Sequence, residues 1–395
     1  MAIKRSLKLL AIAGVSVLAL AGCSSNSAAP ESSLPNVPMA TEVGEGEGEL
    51  NIVVWAGYAE DGSTDPAVDW VTPFEEETGC MVNVKIGNTS DEMVTLIKSG
   101  DYDGVSASGD ATLRLIYGGD VAPVNTDLVP NYETISSFLK ERDWNSVEGQ
   151  MYGIPHGWGA NVLMYNKDLV SPAPTSWGAV FEADSPYAGK ITAYDAPIYI
   201  ADAALYLMAT NPDLGITDPY SLDQDQFDAA VALLKQQKEM IGSYWAAYTD
   251  EVSSFGQESN VIGTAWQINA NLINWEEKVS VESVVPEEGA TGWSDSWMIA
   301  ADAAHPNCMY KWMDWIVSPE VNAQVSEWFG ESPSQTLACD YTADATHCDT
   351  YHSLDADYAS QIYYWTTPLA DCIDGRGDIC VDFAEWVQAW TEIKG

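Results

Sequence analysis

Short apolar runs alternate along this chain with segments whose apolar positions recur at helical spacing. The run 50-LNIVVW-55 is apolar enough for a buried strand. The segment 65-DPAVDWVTPFEEETG-79 then predicts a helix, with Asp65 as N-cap, Pro66 at the first position and Gly79 as its stop. A strand at 81-MVNVKI-86 follows, then a helix at 90-SDEMVTLIKSG-100 whose Thr89 and Glu92 fit a capping box. Strand 103-DGVSAS-108 opens into helix 110-DATLRLIYGG-119. A second series runs from strand 190-KITAYD-195 through helix 197-PIYIADAALYLMAT-210 to strand 261-VIGTAW-266. Strands alternating with helices define an α/β fold with parallel sheets, here in two lobes.

In open α/β sheets, ligands bind beyond the carboxyl ends of the strands. Trp55 and Tyr58 follow the first strand, Ser108 and Asp110 the third, and Asp195 and Trp266 end two strands of the second lobe. Indoles, hydroxyls and carboxylates thus recur where the fold places ligand contacts. The stretch 291-TGWSDSWMIA-300 adds a carboxylate framed by rings. In a strand Trp293, Asp295 and Trp297 share one face. Spacing alone also allows Trp293 to pack in a hinge and Asp295 to cap the next turn, and Trp297 reads as core. For Asp110, the N-cap of its own helix is the competing role.

The first fifty residues differ in character. Lys4, Arg5 and Lys8 precede an apolar run from Leu9 to Ala21, the pattern of a secretory signal over residues 1–22. It ends in 20-LAGC-23, which resembles the lipobox of bacterial lipoproteins and would make Cys23 a lipidated first residue of an exported, membrane-anchored protein. Residues 23–48 are rich in Ser, Pro, Gly and Glu and read as a flexible tether.

Losing Lys4, Arg5 and Lys8 with the leader takes the basic count from 16 to 13, against 59 acidic side chains. Phosphate-rich nucleic acid is therefore excluded as a partner, and cationic ligands are favoured. Most of this charge needs no more than a solvated surface. With Cys23 set aside, Cys80, Cys308, Cys339, Cys348, Cys372 and Cys380 form an even set in an exported chain, with fifteen conceivable pairings. Proximity favours Cys339–Cys348 and Cys372–Cys380, which leaves Cys80–Cys308. His156, His305, His347 and His352 are not spaced as metal ligands, so neither metal nor cofactor is expected.

Taken in order, 51-NIVVWAGY-58, 72-TPFEEETGCMVNVK-85, 153-GIPHGWGANVLMYN-166, 264-TAWQ-267, 285-VPEEGATGWSDS-296 and 327-EWFGESPS-334 resemble the spermidine/putrescine periplasmic-binding family of ABC-importer receptors. The motifs 103-DGVSASGDATLRLI-116 and 192-TAYDAPIYIADAAL-205 are similar to its YdcS-like branch. The resemblance covers residues 50–395. It implies the type II periplasmic-binding-protein fold, with residues 49–157 and 296–340 as lobe I and residues 158–295 and 341–395 as lobe II. The lobes would be joined by crossovers near 154–163 and 293–300. It further implies a monomer that presents loaded ligand to permease subunits. Carried over by position, Trp55 and Tyr58 line the cleft, Ser108 supplies a hydroxyl, Asp195 and Asp295 pair with ammonium groups, and Trp266 and Trp293 sandwich methylenes. The chain departs from the family pattern at Ile198 and Gly57, where acids are expected, at Glu331, an aromatic position, and at Asp110, a tyrosine position.

These residues suit a small cationic amine such as putrescine or spermidine. A buried carboxylate–ammonium hydrogen bond contributes about 1.5–3 kcal/mol, and a desolvated cation over an indole up to about 2 kcal/mol. A quaternary amine of the choline or betaine type suits the rings equally well. Polyhydroxybutyrate synthase-like acyl transfer, an activity by which proteins of the branch have been named, requires a nucleophile elbow of the G-x-S-x-G kind, and the sequence has none. The tripeptide 376-RGD-378 lies in ordinary turn composition and carries little weight.

Overall fold

The computed structural model describes residues 34–277 and 279–395. The leader, Cys23 and the first part of the expected tether lie outside them. The rest of that segment is not a free tether. Val37, Ala40 and Val43 pack on the main core, and Asn125 Nδ2 donates to the Ala40 carbonyl at 3.1 Å. Backbone N–H groups of Asn307 and Cys308 donate to the Glu47 carboxylate, each at 3.0 Å. A few small apolar side chains, spaced along a polar stretch, suffice to dock it.

One curled, mixed sheet runs through the body. From one edge its strands are Met81–Ile86, Glu49–Val54, Gly104–Ala107, Ala290–Ile299, Ile154–Asn166, Ile262–Trp266, Ile191–Tyr194 and Ile241–Trp245. The first three are mutually parallel, as are the last three. Between these sets the long strands Ala290–Ile299 and Ile154–Asn166 pair antiparallel with each other and with their outer neighbours. This is the two-lobed arrangement: two parallel α/β units joined through a shared pair of long strands. Both long strands are buried along nearly their whole length, polar side chains such as Asp295, Thr291, His156 and Asn161 included.

Most expected elements form within a residue or two of their predicted ends. The helix Ser90–Ile97 starts at Thr89, whose side chain accepts from the Glu92 N–H at 3.1 Å. The helix expected from Asp65 begins only at Val71. Asp65 instead closes a local turn, accepting from the Ala67 N–H at 2.9 Å, because an aspartate followed by proline caps a turn as readily as a helix. Three disulfides form, Cys80–Cys308, Cys339–Cys348 and Cys372–Cys380. The first spans 228 residues and fastens the edge-strand region to the helix Pro306–Ile316. In the short loop closed by Cys372 and Cys380, Arg376 turns onto its own body, its Nε 2.7 Å from Asp374 Oδ2 and one Nη donating to the Ser221 carbonyl. The RGD tripeptide is a structural turn.

Candidate functional site

The bulge between the long strands builds the centre of the site. Asp295 faces Gly157 while Ser296 faces Pro155, so His156 is an extra residue with no cross-strand partner. A bulge re-aims the side chain it frees. The His156 ring lies edge-on to Tyr58, centroids 4.3 Å apart, and its Nε2 is 3.4 Å from Glu331 Oε1. Gly57, at φ 96°, lets the chain turn sharply after the first strand so that Tyr58 enters the core. The Tyr58 hydroxyl lies 2.7 Å from Asp295 Oδ2 and 3.0 Å from Glu331 Oε2. Ser108, at the start of the helix Gly109–Gly118, does not cap that helix. Its hydroxyl donates to Asp295 Oδ1 at 2.5 Å.

Every member of this group is buried. Burial raises Asp295 to about 6 against the pull of the Ser108 and Tyr58 hydroxyls, with the charge of Asp110 adding to the rise. Burial raises Glu331 well above the usual carboxyl range, and the charge of Asp295 adds to it. Burial likewise holds His156 neutral, down to about 3. Two acids, a phenol and an uncharged imidazole thus lie together away from water.

Glycines make room for them. A Cβ on Gly157 would come within 2.3 Å of the Glu331 carboxyl carbon, and one on Gly159 within 2.8 Å of the Trp293 ring. The motif 157-GWG-159 therefore makes space for one acid and one indole. Glu331, Trp293, Trp266, Trp158, Tyr351 and Tyr358 line a common hollow. Its volume is about 20 Å³, room for a water molecule. A hollow of that size is too small for a ligand with a carbon backbone.

Of the residues expected from sequence, Tyr58, Ser108, Asp295 and Glu331 meet directly, and Trp266 and Trp293 line the hollow with Glu331. Asp110 is close enough to raise Asp295 but accepts from Ser90 Oγ at 2.8 Å; it sits in the first helical turn and is not the N-cap. Trp55 is half-buried against both apolar clusters. Asp195 meets other partners. Its Oδ2 is 2.5 Å from Lys394 Nζ and its Oδ1 accepts from Trp390 Nε1 at 3.1 Å. In this structure the carboxylate is thus paired with the C-terminal helix Phe383–Lys394. Its neighbour Tyr194 faces the other way, as strand alternation demands. The Tyr194 ring packs 5.6 Å from Trp266 and stacks 5.7 Å from Trp365, and its ionisation is opposed by burial, then by Asp110 and Asp295.

Trp266 is locked in place by a relay. Its Nε1 donates to Asn161 Oδ1 at 3.1 Å, Asn161 Nδ2 donates to Thr291 Oγ1 at 2.8 Å, and Thr291 donates to Asp202 Oδ1 at 3.0 Å. Asn161 and Thr291 stand on the two shared strands, so the indole is tied to the junction of the lobes. Sequence reasoning passed over His156, Tyr194 and this relay. The signal for Tyr194 was present, since choosing Asp195 at a strand end assigns Tyr194 to the opposite face.

Two α/β units around shared strands, with a buried acidic and aromatic centre at their junction, define a solute receptor. Residues 69–390 match the family described as bacterial extracellular solute-binding protein, and the chain belongs to that family. The putrescine-binding periplasmic protein SpuD of Pseudomonas aeruginosa is 23% identical over 293 residues, 70% of this chain and 76% of that protein. The spermidine/putrescine-binding periplasmic protein of Escherichia coli is 24% identical over 304 residues, covering 74% and 83%. The crystal structure of the spermidine/putrescine ABC transporter substrate-binding protein PotD of Streptococcus pneumoniae superposes with a TM-score of 0.67 at 20% identity, over 88% of this chain and 97% of that one. The chain is by family a bacterial extracellular solute-binding protein, a class that binds ligands rather than transforming them. Among the described residues no helix is long and apolar enough to cross a membrane.

Proposed function

We propose that this receptor captures a small amine, putrescine or spermidine, between lobe I (49–157 and 296–340) and lobe II (158–295 and 341–395). It then delivers the amine to a membrane permease while held to the membrane by lipid on Cys23. The observation that carries this reading is Asp295: a buried carboxylate beside Glu331, flanked by Trp293, with hydroxyls rather than a protein cation as its partners. An ammonium group supplies the missing positive charge, and the indoles supply the flat surfaces for methylenes. The named relatives that bind putrescine or spermidine support the same class of ligand.

A second reading rests on Asp195. Because Lys394 neutralises it, the anionic groups gather at one end of the site, which suits a ligand with one cationic centre, such as choline or betaine. Calorimetric titration of the purified chain with putrescine, spermidine, choline and betaine decides between them. Binding of the polyamines at micromolar or better affinity, with little heat from choline or betaine, is the expected result. The reverse order overturns the polyamine assignment.

A further inference from the structure

The Tyr58 hydroxyl has one hydrogen, yet two carboxylate oxygens lie within hydrogen-bonding distance of it, at 2.7 Å on Asp295 and 3.0 Å on Glu331. Were both acids ionised, one of these contacts would be oxygen against buried anion with no hydrogen between. Asp295 and Glu331 are 3% and 1% exposed, so water cannot relieve that contact. A single extra proton resolves the geometry. With a proton on Glu331 Oε2, the carboxyl donates to the Tyr58 oxygen, Tyr58 donates to Asp295 Oδ2, and Ser108 donates to Asp295 Oδ1. Every hydrogen then points at an acceptor.

Among the described residues the one neighbouring group that could balance the charge, His156, is held neutral by burial. From the turn after the first strand comes Tyr58; from the start of the helix Gly109–Gly118, Ser108 and Asp110. The strand Ile191–Tyr194 contributes Tyr194, and the two shared strands contribute His156 and Asp295. Below Glu331, His347 Nε2 lies 2.9 Å from its main-chain carbonyl, and Tyr351 packs alongside. Among the described residues no Lys or Arg reaches either carboxylate of the pair. His156 is wholly buried with both ring nitrogens lacking a hydrogen-bond partner, and Glu331 Oε1, 3.4 Å from His156 Nε2, also lacks a donor, while Glu331 itself lines the hollow. An incoming ammonium group has that oxygen to donate to.

We propose that Asp295 and Glu331 hold one proton between them across Tyr58 in the closed, ligand-free state, and that a ligand's ammonium group displaces it to water. Capture of one amine then releases about one proton. The exchange rests on the amine reading above; the stored proton does not. The raised carboxyls of Asp295 and Glu331 are in keeping with it. Substituting a cation for a proton keeps the buried charge nearly constant through closure, and makes the receptor select for positive ligands.

The test titrates putrescine into the purified full chain near pH 7 in phosphate and in Tris, whose ionisation heats differ widely. The expected result is a difference in heat equal to about one proton per amine, with affinity rising about tenfold for each pH unit over the range of exchange. In Glu331→Gln, whose amide nitrogen reproduces the donor to Tyr58, both the buffer difference and the pH slope should collapse. Equal heats in the two buffers overturn the exchange. A ligand-free readout stands beside this: the infrared difference between wild type and Glu331→Gln at pH 7 should contain a protonated-carboxyl band. Its absence overturns the stored proton. If the band is present but neither putrescine nor spermidine gives heat, the exchange falls through the amine reading and the proton store stands.

Discussion

Lys394 places its ammonium 2.5 Å from Asp195 Oδ2 and 4.3 Å from the ring centroid of Tyr244. A carboxylate and an aromatic face around a protonated nitrogen are what an amine site would offer a ligand, and here the chain's own C-terminal helix fills them. The pair is about one-third exposed, so its contribution to stability is small, about 0–1 kcal/mol. Its consequence for function is greater, since a ligand's ammonium group would have to displace Lys394 to reach this acid.

Two substitutions separate these roles. Asp195→Asn should leave putrescine affinity within about twofold of wild type, whereas Asp295→Asn should weaken it more than about tenfold, the scale of one lost charge-assisted hydrogen bond. Calorimetry with both variants checks this. The melting temperature of Asp295→Asn should stay close to that of wild type, because the amide keeps the shape, its oxygen still accepting from Ser108 and its nitrogen donating to the Tyr58 oxygen. Equal losses of affinity at the two positions would restore Asp195 as a ligand contact.

Close approach of backbone to side chain leads to a second expectation. Because a Cβ on Gly157 would lie 2.3 Å from the Glu331 carboxyl carbon, Gly157→Ala must displace that acid or part the two strands. Overpacking of this kind costs about 1–3 kcal/mol. The variant should melt lower and bind putrescine more weakly. An unchanged affinity would mean that Glu331 takes no part in holding the amine.

The relay behind Trp266 permits a third. Thr291→Val preserves shape but removes the hydroxyl between Asn161 and Asp202, stranding a buried amide and a buried acid at a cost of about 1–3 kcal/mol. Trp266 should then become less ordered. Its fluorescence should shift, and amine affinity should fall severalfold even though Thr291 is two hydrogen bonds away from the indole. A loss of stability with unchanged affinity would reduce the relay to a structural role.

Local pattern made the parallel strands legible, because buried strands between turn residues stand out as apolar runs; Ser108 and Trp266 could be placed at or near strand ends, and Asp295 on one face of a strand with Trp293. Asp195 shows where that reading stopped. Its position at a strand end was clear, but the face it takes depends on where the strand stops, and a one-residue choice exchanges Asp195 for Tyr194. The Tyr58–Glu331 contact spans 273 residues, and no local spacing reports a contact at that range. The bulge at His156 was hidden for a related reason: it exists only once two distant strands pair. Residues 34–48 misled through composition, since their few apolar side chains were outnumbered by polar ones and yet were enough to dock the segment.

Buried acids also set an unusual dependence of stability on pH. Burial, opposed by hydrogen bonds from Thr291 to Asp202 and from Asn269 and Thr192 to Glu251, raises both acids to about 8, while Asp110 and Asp295 stand at about 6. In the unfolded chain all four titrate near 4. Between these limits the folded state binds more protons than the unfolded one, so stability falls as pH rises. The contribution is complete below about pH 4 and is lost through about pH 6 for the site acids and about pH 8 for Asp202 and Glu251. While one such group differs in protonation between the two states, the slope is about 1.4 kcal/mol per pH unit. The ligand-free receptor should therefore melt at a higher temperature at pH 5.5 than at pH 8.5, and Asp202→Asn should flatten that trend by removing one titrating group. Scanning calorimetry across this range, with wild type and Asp202→Asn side by side, provides the check. A melting temperature that climbs toward alkaline pH would mean these carboxyls are ionised in the folded protein.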